Sequence, residues 1–224
     1  MEVFEKLLLW VDPVRRPGPE TMAVDQWLLE TARLPVLRVY RWAGDWASIG
    51  YFSNVAGAFA AFPNLNLVRR WTGGGIVDHR ADWTYTLVAP AGEPLAGWRG
   101  AESYRCIHSV LAATLATEFL SVSSSAGGEE TGAVLCFENP VSHDLIDSDG
   151  RKIAGAGQRR SRSGLLHQGS VAAGCDDIQS QRRSEDFATR LSVTWRIFRT
   201  PPGSVEISRR ASARYALPEW TCRR

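Results

Sequence analysis

Lysine is nearly missing from this chain: of 26 basic side chains only Lys6 and Lys152 are lysines, and the other 24 are arginines. Arginine serves wherever a fixed planar charge is wanted, so a retained lysine marks a place for a compact ammonium on a flexible stem. Long apolar runs are missing too. No segment approaches the roughly 18 consecutive apolar residues of a membrane span. The start, MEVFEKLLLWVDP, has an acid before its short apolar run and no small-residue cleavage site, unlike a signal peptide. Cysteine is sparse. Cys106, Cys136, Cys175 and Cys222 form no CxxC pair and lack the density of a disulfide scaffold, which points to a reduced, cytoplasmic protein. His79, His108, His143 and His167 have no metal-ligand spacing, so no metal held by the protein alone is expected. Net charge is only +2, which gives no electrostatic case for a nucleic-acid or membrane-surface partner.

What is present is an ordinary globular composition, 44% apolar and 22% charged over 224 residues. Apolar periodicity predicts strands at Val3–Val11, Pro35–Trp42, Trp46–Phe52, Asn66–Arg70, Ile76–His79, Trp83–Ala89, Val134–Phe137, Asp144–Ile146, Lys152–Arg160 and Leu165–Ala172. It predicts helices at Glu20–Thr31, Val55–Phe62, Ala101–Phe119 and, capped by Ser184, Glu185–Phe198. Trp46–Phe52 is expected to pair with Pro35–Trp42 across Ala43–Asp45. Strands come in runs with helices between the runs, which favours an α+β fold with mixed, mostly antiparallel sheets.

Three segments carry candidate chemistry. In Arg69-Arg70-Trp71-Thr72-Gly73-Gly74-Gly75-Ile76-Val77-Asp78-His79, adjacent glycines let the backbone approach a ligand and form a concave nest for an anion, with two arginines beside it. No GK[ST] follows, so this is not a P-loop, and it is not a GxGxxG fingerprint. In Asp149-Gly150-Arg151-Lys152-Ile153-Ala154-Gly155-Ala156-Gly157-Gln158-Arg159-Arg160 a turn delivers Lys152 to a strand of small residues that leave room for a ligand. Gly164-Leu165-Leu166-His167-Gln168-Gly169-Ser170-Val171 is a strand suited to pair with it. The bland readings are a glycine-rich hairpin with solvated arginines, an exposed lysine at a hairpin end and a structural histidine.

Together these segments resemble the lipoate–protein ligase and octanoyltransferase family, in order and over most of the chain. MAVDQWLL from Met22 resembles its first helix. LRVYRW from Leu37 and SIGYF from Ser48 resemble its LRxYxW and SxGxF strands. RRWTGGGIVDH resembles RRxSGGGxVxH, Asp144-Leu145 with GRKIAGAGQRR resembles DL…GxKxxGxAxR, and LHQGSV resembles HHGTLL. Arg214-Tyr215 with Glu219-Trp220 is similar to the family's KY…EW. Gln168 departs from the pattern where a second His is usual, and Gly157 is an extra glycine in the lysine strand.

The resemblance implies an α+β fold shared with biotin protein ligases and distantly with class II tRNA synthetases, as a single catalytic domain over 1–224 without a C-terminal accessory domain. It implies an ATP-dependent ligase that activates lipoic or octanoic acid as acyl-adenylate and passes it to a lysine of a lipoyl domain. The acceptor would be a 2-oxoacid dehydrogenase or the glycine cleavage H protein, and some ligases recruit a separate accessory subunit. Lys152 would bridge the acyl carbonyl and the adenylate phosphate. Arg69, Arg70, Gly73, Gly74, Gly75, Ile76, Val77, Asp78, His79, Gly155, Ala156 and His167 would line the nucleotide and acyl site. Asp144 would help hold the nucleotide with Mg. The alternative is an octanoyltransferase that takes its acyl group from an acyl carrier protein without ATP. There Cys136, in LCFENP sixteen residues before Lys152, would be a thioester nucleophile activated by the nearby ammonium. A non-catalytic homologue that binds an acyl group or a partner is the third reading.

Overall fold

The computed structural model describes residues 2–118, 121–127 and 141–223. The expected strand at 134–137 and Cys136 lie outside them. The elements, in chain order, are β1 (Phe4–Val11), α1 (Gly18–Thr31), β2 (Val36–Tyr40), β3 (Trp46–Ile49), α2 (Val55–Ala61), β4 (Asn66–Arg69), β5 (Ile76–Asp78), β6 (Trp83–Pro90), α3 (Pro94–Gly97), α4 (Gly100–Leu115), β7 (Ser123–Ser124), β8 (Leu145–Ile146), β9 (Lys152–Ser161), β10 (Gly164–Val171), α5 (Asp177–Leu191), β11 (Ser192–Ile197), α6 (Ser204–Arg210), a π-helical turn (Ala211–Tyr215) and α7 (Pro218–Thr221).

Among these, one large sheet runs in the order β11-β1-β2-β6-β10-β9-β8-β7, and a small one in the order β4-β3-β5. In the large sheet β11, β1 and β2 are parallel and every later pairing is antiparallel. The fold is therefore α+β with mixed, mostly antiparallel sheets, as expected. Side chains alternate across each strand, so the large sheet buries two apolar faces. One face, with Leu9, Leu37, Tyr85, Leu87 and Leu165, packs on Ile107 and Leu111 of α4 and Phe187 and Leu191 of α5. The other, with Tyr40, Val88 and Leu166, packs on Met22, Leu28 and Leu29 of α1 and on Ile207 and Tyr215. The small sheet closes over α2 with Ala47, Ile49, Ala58 and Ile76.

Two expectations are corrected. β3 does not pair with β2; it pairs with β4 and β5, so the chain between them crosses from the large sheet to the small one. Sequence proximity suggested a hairpin, but β2 is already flanked by β1 and β6. The final helix is not Glu185–Phe198. The helix there, α5, spans Asp177–Leu191, capped by the Asp176 side chain on the Gln179 N–H; Ser192–Ile197 is an edge strand parallel to β1, and the short helices α6 and α7 follow it. Val193, Thr194, Trp195 and Ile197 are β-formers whose pairing with β1 wins over a longer helix.

Candidate active site

The two sheets meet in a narrow cleft. Its walls are Tyr40 at the end of β2, Trp42 beyond it, Thr84 of β6, Gly155, Ala156 and Gly157 of β9 and Gln168 to Ser170 of β10 on the large-sheet side. Met22, Ser48, Arg70, Gly74, Val77 and His79 complete it.

β9 and the glycine turn are fitted to each other. A Cβ at position 157 would lie 2.3 Å from the Gly73 carbonyl oxygen and 2.9 Å from Thr72 Oγ1. The extra glycine in the lysine strand is therefore where the turn rests. A Cβ at position 155 would lie 2.4 Å from Lys152 Cε and 2.7 Å from its Nζ, so the ammonium fills the space a side chain there would need. Gly155 and Gly157 are one strand repeat apart, about 7 Å.

Lys152 is buried, and its Nζ pairs with Asp144 Oδ2 at 2.6 Å. Asp144 is itself fully buried. Its carboxylate also accepts from the Val141 N–H (2.8 Å) and from Tyr104 Oη, which in turn accepts from the Ala156 N–H at 2.9 Å. Burial and the Asp144 charge push the Tyr104 phenol well up, so it stays a donor. Asp144 thus holds the lysine and shapes β9. Both of its oxygens are engaged and closed to solvent. Among the described residues no group of three His, Cys, Asp or Glu side chains is placed to hold a metal ion.

The structure brings Arg70, Gly74, Val77, His79, Gly155 and Ala156 together on the cleft wall, with Gly73, Gly75 and Lys152 beside it. Arg70 donates to the Gly73 and Gly75 carbonyls at 3.1 and 3.0 Å. Four expected residues are placed elsewhere. Arg69 points away from the cleft, donating to the carbonyls of Gly50, Tyr51, Ser53, Thr221 and Arg223, because its strand faces the C-terminal segment. Ile76 is in the small-sheet core. Asp78 is paired with Arg80. His167 is sealed on the α4 side between Tyr85 Oη (3.1 Å) and Gln158 Nε2 (3.0 Å), and burial pushes its pKa well down.

Sequence reasoning missed Tyr104, His108, Ser48 and Asp82. Tyr104 and His108 stand one helical turn apart on α4, where apolar spacing read them as core. His108 is buried, donates through Nδ1 to the His143 carbonyl at 2.7 Å, and leaves Nε2 without a partner. Burial pushes its pKa down to about 4. Gln168 is also informative: it donates to Asp25 Oδ2 (2.6 Å) and accepts from Thr72 Oγ1 (2.8 Å), tying the glycine turn to the buried Asp12–Arg38–Asp25 network.

This architecture is that of the lipoate–protein ligases. It superposes on lipoate-protein ligase A bound with ATP with a TM-score of 0.71, at 17% identity and 99% coverage of both chains. It superposes on a bi-partite lipoate protein ligase from Thermoplasma acidophilum with a TM-score of 0.63, at 16% identity, covering 99% of this chain and 97% of that one. In sequence, residues 17–209 match the lipoyl protein ligase A/B catalytic domain. The chain belongs to that family. The octanoyltransferase LipM of Carboxydothermus hydrogenoformans is 33% identical over 178 residues, covering 75% of this chain. The match spans 65% of that relative's own length. Among the described residues no helix is long and apolar enough to cross a membrane.

Proposed function

We propose that this protein moves an octanoyl group from the thioester of an acyl carrier protein to a lysine of a lipoyl domain, through a thioester on Cys136 and without ATP. The observation that carries this reading is the state of Asp144, whose carboxylate is used up on Lys152, Tyr104 and a backbone N–H. The site offers an aimed ammonium in place of a magnesium–nucleotide clamp. The name borne by the curated relative described above supports the same choice over the ligase reading. The place of Cys136 rests on sequence: it stands sixteen residues before Lys152 in a segment similar to the transferases' CFxxP.

In the first half-reaction the Cys136 thiolate attacks the donor's thioester carbonyl. The bond to the carrier sulfur breaks, and the carrier thiol leaves with the proton that Cys136 gave up. In the second, the acceptor lysine's neutral amine attacks the Cys136 thioester, an amide forms, and the amine's proton restores the thiol. Each step builds negative charge on the carbonyl oxygen. The preplaced Lys152 ammonium stabilises it, and such a donor contributes about 2.7–4 kcal/mol. Residues 1–224 act as one catalytic unit, and the acceptor is the lipoyl domain of a 2-oxoacid dehydrogenase or the glycine cleavage H protein.

Intact mass spectrometry tests this. With octanoyl-carrier protein the expected result is an octanoyl adduct on the enzyme, absent in Cys136→Ser, followed by modification of the lipoyl domain without nucleotide. Modification only with lipoate or octanoate plus Mg-ATP, undiminished in Cys136→Ser, would establish the ligase reading instead, with or without an accessory subunit. Binding without modification from either donor would leave a non-catalytic homologue.

A further inference from the structure

Ser48, His79 and Asp82 stand in the order and spacing of a nucleophile, its base and the base's orienter. Ser48 Oγ lies 2.6 Å from His79 Nε2, and His79 Nδ1 lies 2.7 Å from Asp82 Oδ2. Such a constellation in a cleft is ordinarily a candidate for covalent catalysis. The groups at its two ends argue for a different role. Asp82 is acceptor-only, and it also takes the hydroxyls of Ser170 (2.5 Å) and Thr84 (3.0 Å). At the other end Arg70 is donor-only, with Nη1 at 2.6 Å from Ser48 Oγ and 2.9 Å from the Ser48 carbonyl.

With both ends fixed in polarity and His79 as a neutral imidazole, the bonds between them share one direction. Arg70 N–H donates to Ser48 Oγ, the Ser48 hydroxyl donates to His79 Nε2, and His79 Nδ1–H donates to Asp82. Bonds aligned head to tail polarise one another. The ring plane is fixed by Trp42, stacked at 4.1 Å and 18°, whose Nε1 donates to Thr84 Oγ1 at 3.0 Å. Ser48 is fully buried, and Arg70 and His79 are nearly so.

We infer that Asp82, His79 and Ser48 form a positioning relay that acts through Arg70. By orienting its guanidinium onto the Gly73 and Gly75 carbonyls, the relay holds the glycine turn in the shape that receives the acyl group. Ser48 is not an acyl acceptor. The activity readout of this inference rests on the acyl-transfer reading above; its spectroscopic readout does not.

The test uses the full chain. Nitrogen-15 NMR of labelled histidines should find the His79 ring protonated on Nδ1 with Nε2 bare, and that signature should change in Asp82→Asn and Ser48→Ala. A ring protonated on Nε2, alone or together with Nδ1, in the unmodified protein would overturn the relay. For activity, the rate of octanoyl loading is measured in a cycle of Asp82→Asn, Arg70→Gln and the double variant, each with its thermal midpoint. The relay predicts losses of about 10–100-fold for each single variant, the scale seen when orienting partners are removed. It predicts a double variant no slower than Arg70→Gln alone. Multiplying losses would sink it. Ser48→Thr, which keeps the hydroxyl, should retain loading where Ser48→Ala loses it. Peptide mapping that finds the acyl group on Ser48 would restore the nucleophile reading and overturn ours. If the unmodified protein takes no acyl group from any donor, the transfer reading fails and the histidine NMR alone decides the relay.

Discussion

A lysine side chain normally lies in water, yet Lys152 is buried against a carboxylate that no solvent reaches. Removing one partner of such a pair strands the other, at about 3–5 kcal/mol. Asp144→Asn should therefore lower unfolding free energy by that order, read by denaturant titration. Lys152→Arg should fold but lose about 10²–10³ in rate, because a planar fork cannot take the ammonium's place beside Gly155. Gly155→Ala should have a related effect by displacing the Lys152 amine, whose Nζ would lie 2.7 Å from the new methyl. His108 supplies a pH dependence. Its folded pKa of about 4 lies below the ordinary 6.5. The unfolded chain therefore binds the proton more tightly, and stability falls as pH drops from about 6.5 towards 4. Between pH 7 and 4.5 this group alone removes about 2–3 kcal/mol. Comparing the native protein with His108→Gln at both pH values isolates the effect, and equal losses in the two would refute it.

At the level of elements, the site depends on how the small sheet and the C-terminal segment are fastened. Arg69 at the end of β4 reaches Thr221 and Arg223 with one arm of its guanidinium and the Gly50–Ser53 backbone with the other. Charge-assisted bonds of this kind contribute about 1.5–3 kcal/mol each, though not additively. Arg69→Ala should release the segment after Tyr215 to limited proteolysis and destabilise the fold by at least about 2 kcal/mol, with Lys152 and Asp144 undisturbed. β9 carries the complementary constraint. A methyl at position 157 meets the Gly73 backbone, so Gly157→Ala should loosen the glycine turn and weaken acyl loading more than it lowers the thermal midpoint. β11 teaches a different lesson. Its residues follow α5 without a break, and local periodicity alone extends the helix through them, whereas the free edge of β1 takes them as a strand.

At the scale of the whole molecule, a cleft between two sheets should tighten when it is filled. A ligand at 100 times its dissociation constant adds about 2.7 kcal/mol to the folded state. Octanoic acid should raise the thermal midpoint, whereas Mg-ATP alone should not; a nucleotide shift as large as the fatty acid's would favour the ligase reading. Much of this molecule was legible in the sequence. The α+β class, most strands, the glycine turn and Lys152 follow from periodicity, from turn residues and from the rarity of lysine, which are local properties. The partners of those residues were not legible. Tyr104, Asp82 and Ser48 reach the site from α4, the loop before β6 and β3, and their roles depend on side chains that meet only after both sheets have formed. The amino-acid order by itself determined which groups exist and on what elements they ride, because backbone preference and side-chain period act over a few residues. Only the tertiary structure decided that Asp144 serves a lysine, that Arg69 fastens the chain end, and that Gly157 makes room for a turn, because each is a contact between segments distant along the chain.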